Sequence, residues 1–352
     1  MPKTRVMVID DSALMRQLLT QILSQDPGLE VVGSAAEPYT AWEKIKQLQP
    51  DVLTLDVEMP KMDGLTFLGK LMQLRPMPVV MVSTLTERGC ETTLRALELG
   101  AVDFVAKPKI DVRTGTVDLA EEICEKVKGA RQARVGGVRR GAPLLRPVVT
   151  KSHTPILKST QQIIAIGAST GGTEAICEVL SHLPPDSPGV VMVLHMPAGF
   201  TRSYAARLDQ MCALKVREAV DGDRVLSGHA LLAPGGLQMS LRRSGADYLV
   251  SVSAGPPVNR HCPSVDVLFD SCAKYAGANT VGVLLTGMGN DGAKGLLNLR
   301  NSGAQTIAQD EATSVVFGMP REAIQMGAAS EVQPLGQISS RLRALSAHCG
   351  VR

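Results

Sequence analysis

Short apolar runs alternate with amphipathic segments along the first half of the chain, and this alternation constrains the fold more than any other feature. The runs are RVMVID, LEVVGSA, DVLTLD, PVVMVST and DFVAKP, and the segments between them, such as ALMRQLLTQIL, place apolar residues at helical spacing. Strands that alternate with helices require crossover connections, which produce a parallel sheet covered on both faces. The pattern predicts an N-terminal (βα)5 domain with a doubly wound parallel sheet.

The second half repeats the alternation with the runs IIAIG, GVVMVLHM, VGVLLTG and QTIAQD. A less regular stretch, residues 216–255, lies between the second and third of these runs and has the character of short strands separated by turns. We therefore predict a C-terminal α/β doubly wound domain with a small β-rich insertion.

Residues 126–158 separate the two halves and carry nine Lys or Arg residues, several Gly and Pro, and no acid. Such a segment has too little periodic apolar surface to pack, so we predict a basic flexible linker rather than a binding patch. A length of 352 residues also exceeds what one core usually supports. We therefore expect one domain over residues 1–125 and a second over residues 159–352.

The composition argues against several classes of partner. A net charge of +3 is too small to imply a polyanionic partner, and 3% aromatic residues leave few platforms for stacking bases, so we expect no nucleic-acid partner. The seven cysteines are scattered without a C-x-x-C pair, which indicates reduced thiols rather than a disulfide framework or a zinc site. The sequence has neither a signal-peptide core nor an apolar run near ~20 residues. We therefore expect a cytoplasmic protein without direct membrane insertion.

Polar side chains follow the predicted strands of the first half at the point where each strand ends. Asp10 and Asp11 follow the first strand, Asp56 the third, Ser83 the fourth and Lys107 the fifth. Three carboxylates at one edge of a parallel sheet would repel one another unless a cation lay between them, and their oxygens suit Mg²⁺. A lysine can hold a phosphoryl oxygen, and the central Asp56 can accept a phosphoryl group. Helix capping would explain Asp10 or Asp11, but neither Asp56 nor Lys107.

Residues 1–125 resemble the receiver domain of two-component response regulators, which has a flavodoxin-like fold, through VIDDSALMR, DVLTLDVEMPKMDGL, VVMVSTLT and FVAKP. The resemblance implies that Asp56 takes a phosphoryl group from a histidine kinase in the presence of Mg²⁺. The implied metal-binding residues are Asp10, Asp11, Asp56 and Glu58, the last through its backbone carbonyl, and the implied sensors of the phosphoryl group are Ser83 and Lys107. The family often has Thr where Ser83 stands, and the hydroxyl is retained.

In the second half, IIAIGASTGG passes from a predicted strand into a predicted helix, with Ser169 at the junction. The loop has neither the G-x-G-x-x-G or G-x-x-x-x-G-K-[ST] spacing of a phosphate-binding loop nor the G-x-S-x-G of an α/β-hydrolase elbow. His195 follows the run GVVMVL, and Asp291 lies in the glycine-rich loop after VGVLLTG. This placement favours a Ser–His–Asp hydrolase in which Asp291 orients His195 and His195 takes the proton of Ser169.

Each of these residues also has another interpretation, which the sequence leaves open. Ser169 by itself suits a helix N-cap, and Asp291 suits a turn in N-D-G. His261, in the proline-punctuated NRHCPSVD, competes for the role of the base, although no predicted strand delivers it to the sheet edge. Asp266 and Asp310 compete less well for the role of the acid, since the first lies at an apparent helix start and the second lacks a glycine-rich frame.

Residues 160–330 resemble the protein-glutamate methylesterases of bacterial chemotaxis through GASTGGTEAI, LHMPAGFTRS, PPVNRHCPSVDVLF, LTGMGNDGAKG and FGMPREAI. The resemblance implies the same triad, demethylation of glutamyl methyl esters with release of methanol, and deamidation of selected glutamines on methyl-accepting chemotaxis receptors. It implies no cofactor in this domain and backbone oxyanion donors at Thr170 and Met288. The family usually has a second basic residue where Cys262 stands, which bears on receptor affinity but leaves the triad untouched.

A receiver tied to an enzyme suggests control by phosphorylation. We expect the unphosphorylated receiver to cover the Ser169 cleft, and phosphorylation of Asp56 to shift the population toward an open arrangement. Two other classes of function compete with this one. A transcription regulator is disfavoured because the second half is too large an α/β unit for a compact helix-turn-helix. A phosphorylation-controlled scaffold with a degenerate triad would keep the pattern but lack a reactive serine.

Overall fold

The computed structural model describes residues 2–59, 62–84, 86–107, 116–133 and 162–348. Within these ranges the chain forms two parallel sheets, one in each half, with helices packed against both faces. None of the helices in these ranges is long and apolar enough to cross a membrane. The α/β doubly wound class predicted from the sequence is confirmed for both halves.

The first sheet has five strands and is surrounded by five helices. The strands are β1 (Thr4–Ile9), β2 (Leu29–Ala35), β3 (Val52–Asp56), β4 (Val79–Ser83) and β5 (Asp103–Ala106). The helices are α1 (Ala13–Gln25), α2 (Pro38–Leu48), α3 (Gly64–Leu74), α4 (Glu87–Glu98) and α5 (Thr116–Gln132). The strand order is β2-β1-β3-β4-β5, and every neighbouring pair is parallel. This is the flavodoxin-like topology, in which β1 and β3 meet at the switch point of the sheet.

The second sheet has seven parallel strands and is accompanied by one hairpin. The strands of this half are β6 (Ile163–Ala168), β7 (Gly189–Leu194), β8 (Lys215–Glu218), β9 (His229–Leu232), β10 (Gln238–Ser244), β11 (Asp247–Ser253), β12 (Thr280–Leu284), β13 (Gln305–Gln309) and β14 (Glu331–Gln333). The helices are α6 (Gly172–Ser181), α7 (Phe200–Met211), α8 (Val265–Tyr275), α9 (Ala293–Asn301), α10 (Met319–Gln325) and α11 (Leu335–His348). The strand order is β14-β13-β12-β6-β7-β9-β8.

The stretch predicted as a β-rich insertion, residues 216–255, is divided between two structures. β8 and β9 extend the main sheet beyond β7 with parallel pairing, whereas β10 and β11 form a separate antiparallel hairpin. Since β8 and β9 are only four residues long, their sequences are too short to indicate whether they pair with each other or with the sheet. The insertion is therefore smaller than predicted, and the sheet is wider.

The central strands of the second sheet bring their carboxyl ends to one edge. Every residue of β6, β7 and β12 is buried, as expected for apolar runs covered on both faces. Ala168 pairs with Leu194, and Gly167 pairs with Leu284, so the three strands end nearly level. α8 lies close against β6 because Gly167 has no side chain where Val265 packs. The loops that follow β6, β7 and β12 therefore leave the sheet side by side.

Helix α5 continues beyond the point where the linker was predicted to begin. It runs to Gln132, and Val127 and Ala130 are fully buried in the core of the first half. Residues 126–132 are thus helical rather than linker, because Val127 and Ala130, three residues apart on one face of the helix, pack into the core of the first half. The remainder of the predicted linker, residues 134–158, lies outside the described residues.

The first half packs against the second through its β5 edge and helices. Phe104 on β5 stacks on Phe200 at the start of α7, with ring centroids 4.4 Å apart and planes tilted by 38°. Glu98, at the end of α4, forms an ion pair with Arg207 on α7. Both aromatic rings are almost completely buried, so this interface excludes water as a protein core does.

We expect Gly167→Ala to destabilise the second half, because a Cβ at this position would overlap the side chain of Val265. Overpacking of this kind costs about 1–3 kcal/mol and should lower the thermal midpoint by ~2–10 °C, measured by scanning calorimetry. Gly336→Ala, in the first turn of α11, is the matched control, since its new Cβ meets no heavy atom within 4 Å. An unchanged midpoint in Gly167→Ala would contradict the close packing of α8 on β6.

Candidate active site and phosphoacceptor site

The three side chains predicted to form a triad follow the three central strands of the second sheet. Ser169 comes directly after β6 and His195 directly after β7, and the N–H of His195 donates to the carbonyl of Ala168 at 3.2 Å. The N–H of Ser169 donates to the carbonyl of Thr286, which follows β12, at 3.0 Å. Asp291 lies later in the same loop, immediately before α9. Strand register therefore places all three residues at one edge of the sheet.

His195 and Asp291 are in direct contact. His195 Nε2 lies 2.8 Å from Asp291 Oδ2, and both side chains are buried. The other ring nitrogen, Nδ1, is buried without a hydrogen-bond partner among the described residues. Ser169 is half-buried on the adjacent strand end, and its hydroxyl makes no hydrogen bond within the described part of the chain. The ring thus has one nitrogen fixed by a carboxylate and the other available to accept a proton.

The Asp291 carboxylate is surrounded by hydrogen-bond donors besides His195. Oδ1 accepts from Asn259 Nδ2 at 2.7 Å and from the Ser264 hydroxyl at 2.8 Å, and Oδ2 accepts from the N–H of Val265 at 2.7 Å. Burial alone would raise the pKa of Asp291, but the hydrogen bonds from His195, Asn259 and Val265 hold it well below its ordinary value. Asp291 is therefore a carboxylate at neutral pH.

The residues that competed in the sequence for the roles of base and acid are His261, Asp266 and Asp310. The ring of His261 is stacked on that of His195, with centroids 3.6 Å apart and planes 15° from parallel. Burial, and next the proximity of His195, lower the pKa of His261 to about 3, so this ring is neutral. Asp310 directly follows β13 at the edge of the sheet, but its carboxylate accepts hydrogen bonds from the backbone and hydroxyl of Thr313. Asp266 lies near Asp291 but does not contact His195.

Two polar residues that hold Asp291 were missed by the sequence interpretation. Asn259 and Ser264 both lie in PPVNRHCPS, in which the sequence analysis assigned possible roles to His261 and Cys262 but not to these two residues. A signal was present, since Asn is the residue that best tolerates the left-handed backbone found at position 259, where φ is 50°. The target of its side chain, however, depends on how this loop packs against the loop after β12.

The backbone N–H groups of Thr170, directly after Ser169, and of Met288, in the loop after β12, donate no hydrogen bond to any described residue. The side chains of both residues contact the first half. Thr170 Oγ1 donates to Asp103 Oδ2 on β5 at 2.5 Å, and a Cβ at Gly129 on α5 would lie 2.9 Å from Met288 Sδ. The receiver therefore lies directly over the loop that follows Ser169.

The acidic side chains predicted in the first half form a cluster. Ligand atoms of Asp10, Asp11 and Asp56 all lie within 4.8 Å of one another. Lys107 Nζ lies 2.7 Å from Asp56 Oδ2 and 3.5 Å from Asp10 Oδ2. Burial raises the pKa of Asp56 to about 6, with the Asp10 charge adding to the rise and Lys107 opposing it. Burial also raises the pKa of Asp10.

Glu58 and Ser83 are placed differently with respect to this cluster. The N–H of Glu58 donates to Asp56 Oδ1 at 3.2 Å, which puts its backbone beside the carboxylate. Ser83 lies at the buried end of β4, but its hydroxyl donates to the carbonyl of Gly89 at 3.3 Å rather than to Asp56. The structure thus brings Asp10, Asp11, Asp56 and Lys107 together and leaves the Ser83 hydroxyl turned toward α4.

Comparison with known families assigns both halves. The sequence model of the family described as CheB methylesterase matches residues 164–342, and that of the response regulator receiver domain matches residues 6–114. The chain belongs to the CheB methylesterase family. It is a hydrolase joined to a receiver domain, with methylesterase and glutaminase activity, and the DNA-binding output weighed above is not its function.

Individual relatives agree with this assignment. A protein-glutamate methylesterase/protein-glutamine glutaminase of Bordetella avium is 60% identical over 343 residues, which cover 97% of each chain. The Salmonella typhimurium protein of that name is 58% identical over 98% of this chain and 97% of its own. The crystal structure of the Thermotoga maritima CheB methylesterase catalytic domain covers 53% of this chain and 99% of its own, with 37% identity and a TM-score of 0.52.

We expect Asp291→Asn to lower turnover about 10³-fold or more, because an amide presents N–H to donors that require an acceptor and selects the wrong tautomer of His195. Methanol release from methylated receptor membranes measures the effect. Asp310→Asn is the matched control, since within the described residues the Asp310 carboxylate accepts hydrogen bonds from Thr313 alone. Comparable losses of turnover in Asp291→Asn and Asp310→Asn would contradict the prediction that Asp291 orients His195.

Proposed function

We propose that Ser169, His195 and Asp291 are the catalytic triad of this enzyme, with Ser169 as nucleophile, His195 as general base and Asp291 as the orienting carboxylate. The proposal rests chiefly on the buried contact between His195 Nε2 and Asp291, which leaves Nδ1 without a partner beside the strand end that carries Ser169. His195 Nδ1 and the Ser169 hydroxyl make no hydrogen bond to each other in this structure, and in substrate-free enzymes such catalytic hydrogen bonds often form only in the Michaelis complex.

The reaction follows from these roles. Ser169 Oγ attacks the side-chain carbonyl carbon of a glutamyl methyl ester while His195 Nδ1 takes the seryl proton. The tetrahedral intermediate collapses, the proton passes from His195 to the leaving oxygen, and methanol departs. Water then attacks the acyl-enzyme with His195 as base again, which releases glutamate and restores Ser169. With a glutamine substrate the same steps expel ammonia, so one site serves both activities.

The oxyanion of both intermediates needs donors, and we assign the N–H groups of Thr170 and Met288 to this role. Neither group donates to an acceptor among the described residues, and both lie beside Ser169. Loss of one such donor typically reduces turnover 10²–10³-fold or about 3–4 kcal/mol. With a pKa of about 3, His261 is a weak base, and Asp291 contacts His195, so we assign the base role to His195.

In the receiver, we propose Asp56 as the residue that accepts a phosphoryl group from a histidine kinase. Asp10 Oδ2 is buried without a hydrogen-bond partner among the residues described, and the only ammonium beside it, that of Lys107 at 3.5 Å, is shared with Asp56. One positive side chain among three clustered carboxylates fits an additional cation. Asp11, Asp56 and the backbone carbonyl of Glu58 would hold Mg²⁺, and Asp10 would support it; when bound, Mg²⁺ neutralises charge on the transferring phosphoryl group. Lys107 binds a phosphoryl oxygen, and the Ser83 hydroxyl reaches the group by turning away from Gly89.

We propose that the receiver controls access to the triad. The observations behind this are the contacts over the site, in which Asp103 holds Thr170 and α5 lies against Met288. These contacts lie at the two residues proposed as oxyanion donors, so we expect them to hinder the approach of a substrate side chain to Ser169. Phosphorylation at Asp56 would favour an open population, as the linked phosphoryl sensors on β4 and β5 rearrange.

The partners follow from the same assignment. Methyl-accepting chemotaxis receptors are the proposed substrates and the chemotaxis histidine kinase the proposed phosphodonor, with the enzyme acting from the cytoplasm on the exposed part of the receptor. No cofactor is required for the chemistry of the triad, since every proton transfer is accounted for by His195.

A serine-directed fluorophosphonate should label the wild-type enzyme at Ser169 and leave Ser169→Ala unlabelled, as detected by peptide mass spectrometry. Ser169→Ala should also lose nearly all methanol release, because no other group can form the acyl-enzyme. Residual activity within about tenfold of wild type would overturn the nucleophile assignment, and an unreactive Ser169 in the wild-type enzyme would favour a scaffold with a degenerate triad.

Glu98→Arg should raise methylesterase activity measured without a phosphodonor by about two- to fivefold, because it sets a cation against Arg207 across the interface. The reciprocal exchange, Glu98→Arg with Arg207→Glu, restores the ion pair and should restore the low activity. With a small-molecule phosphodonor and Mg²⁺, the methylesterase activities of the wild type, the single variant and the double variant should become similar. Equal unstimulated rates in the single variant and wild type, together with no activation on removal of residues 1–150, would reject occlusion by the receiver.

A further inference from the structure

Two buried carboxylates, that of Asp291 in the proposed triad and that of Asp266, lie side by side with one amide nitrogen between them. Asn259 Nδ2 is 2.7 Å from Asp291 Oδ1 and 2.7 Å from Asp266 Oδ2. The two oxygens are therefore no farther apart than twice this distance. Asp266 is 6% exposed and Asp291 1% exposed, whereas Asn259 lies at the surface and covers both from the solvent side.

The identity of the bridging atom follows from its neighbours. A carboxylate only accepts hydrogen bonds, so the atom of Asn259 between two carboxylates must be the NH₂ group with its two donors. Each hydrogen then points to one acid. Without this group, the charge of Asp266 would face that of Asp291 in a low-dielectric setting, where like charges repel strongly.

The pKa of Asp266 reflects its burial and the nearby charge of Asp291. Burial raises the pKa of Asp266, the N–H of Gly295 opposes the rise, and the charge of Asp291 adds to it. Gly295 donates to Asp266 Oδ1 at 2.6 Å, which ties this carboxylate to the first turn of α9. Asp266 is thus held in place by α9 and cannot move away from Asp291.

The backbone is shaped to present the amide. Asn259 and Arg260 both have left-handed conformations, with φ of 50° and 68°, and Val258 and His261 exchange hydrogen bonds across them. The result is a tight turn that directs the Asn259 side chain inward. Because the amide binds Oδ1 of Asp291, the other oxygen, Oδ2, is left to face His195.

We propose that Asn259 is a positioning residue for the hydrolytic reaction, which separates the Asp291 carboxylate from Asp266 and fixes Oδ2 against His195. The inference rests on the proposed function of the triad, since Asn259 acts only through Asp291. It distinguishes two carboxylates of equal chemistry: Asp291 is oriented toward the base, and Asp266 serves as the anchor for α9.

A dependence on pH follows from the groups around Asp291. The titratable and charged groups packed in this region are His195, Asp266, His261, Asp270, Lys126 and Arg260. Loss of the amide leaves the two carboxylates less compensated, so the electrostatic potential beside the base becomes more negative. The acid limb of the kcat/KM profile should therefore move to higher pH when Asn259 is replaced.

Asn259→Gly is the informative variant, because glycine adopts the left-handed backbone without strain and so keeps the turn. In the full chain with a small-molecule phosphodonor and Mg²⁺, kcat for methanol release should fall about 10- to 30-fold with KM nearly unchanged, as expected for a lost hydrogen bond to a charged group. Asn298→Ala is the matched control: it removes a 2.8 Å amide–carboxylate bond to Asp270 between α8 and α9 at an exposed position, and it should leave the pH profile unchanged.

A second substitution tests the electrostatic cause. Asp266→Asn removes the competing charge while its amide oxygen can still accept from Gly295. In the double variant with Asn259→Gly, this substitution should return the acid limb toward its wild-type position and recover part of kcat. The loss of kcat in the double variant would then be smaller than the sum of the losses in the single variants, in free-energy terms. A structural role for Asn259 alone would predict additive losses and no shift of the acid limb.

The outcomes separate this inference from the assignment of the triad. Wild-type-like kcat and pH profile in Asn259→Gly, or additive losses in the double variant, would overturn the positioning role while fluorophosphonate labelling of Ser169 persists. Absence of labelling and of methanol release in the wild-type enzyme itself would instead overturn the triad. Scanning calorimetry on each variant identifies any loss that comes from unfolding.

Discussion

The structure of the catalytic half depends on satisfying one buried carboxylate. Asp291 is charged and almost completely enclosed, a state that is unfavourable unless donors occupy its oxygens. The N–H of Val265, the Ser264 hydroxyl, the Asn259 amide and the His195 ring supply them. These groups come from the start of α8, the loop before it and the end of β7, so a single anion fixes how three separate segments meet above the sheet.

Each half has its site at the carboxyl edge of its own parallel sheet, but the buried carboxylates of the two sites differ in how their charge is stabilised. In the catalytic half both oxygens of Asp291 accept hydrogen bonds, and its charge is retained. In the receiver, Asp10 has a buried oxygen without a hydrogen-bond partner among the residues described, and burial raises the pKa of both Asp10 and Asp56. The first arrangement is complete in itself, whereas the second gains stability from an added cation. This difference explains why only the receiver is expected to bind a metal.

Much of both sites was predictable because parallel strands end at a common edge. The run of apolar residues before Asp56, His195 and Ser169 locates each of them at a strand end, and helix–strand alternation fixes the sheet type. Family resemblance then gave the activity. What the sequence could not provide were contacts that depend on tertiary packing, such as the bond from Asn259 to Asp291. The extension of α5 through Val127 was missed because its many basic residues outweighed a weak helical period.

Arg260 lies between Asn259 and His261 in the tight turn, yet its side chain is directed outward and pairs with Glu125 on α5 of the receiver at 2.5 Å. Neighbouring positions of one turn thus have different contacts. Asn259 contacts Asp291 and His261 stacks on His195, whereas Arg260 contacts the receiver domain. Substitutions at 260 can retune how tightly the halves associate without disturbing the hydrolytic groups beside it. A lineage can in this way adjust its sensitivity to signal while keeping its intrinsic rate of hydrolysis.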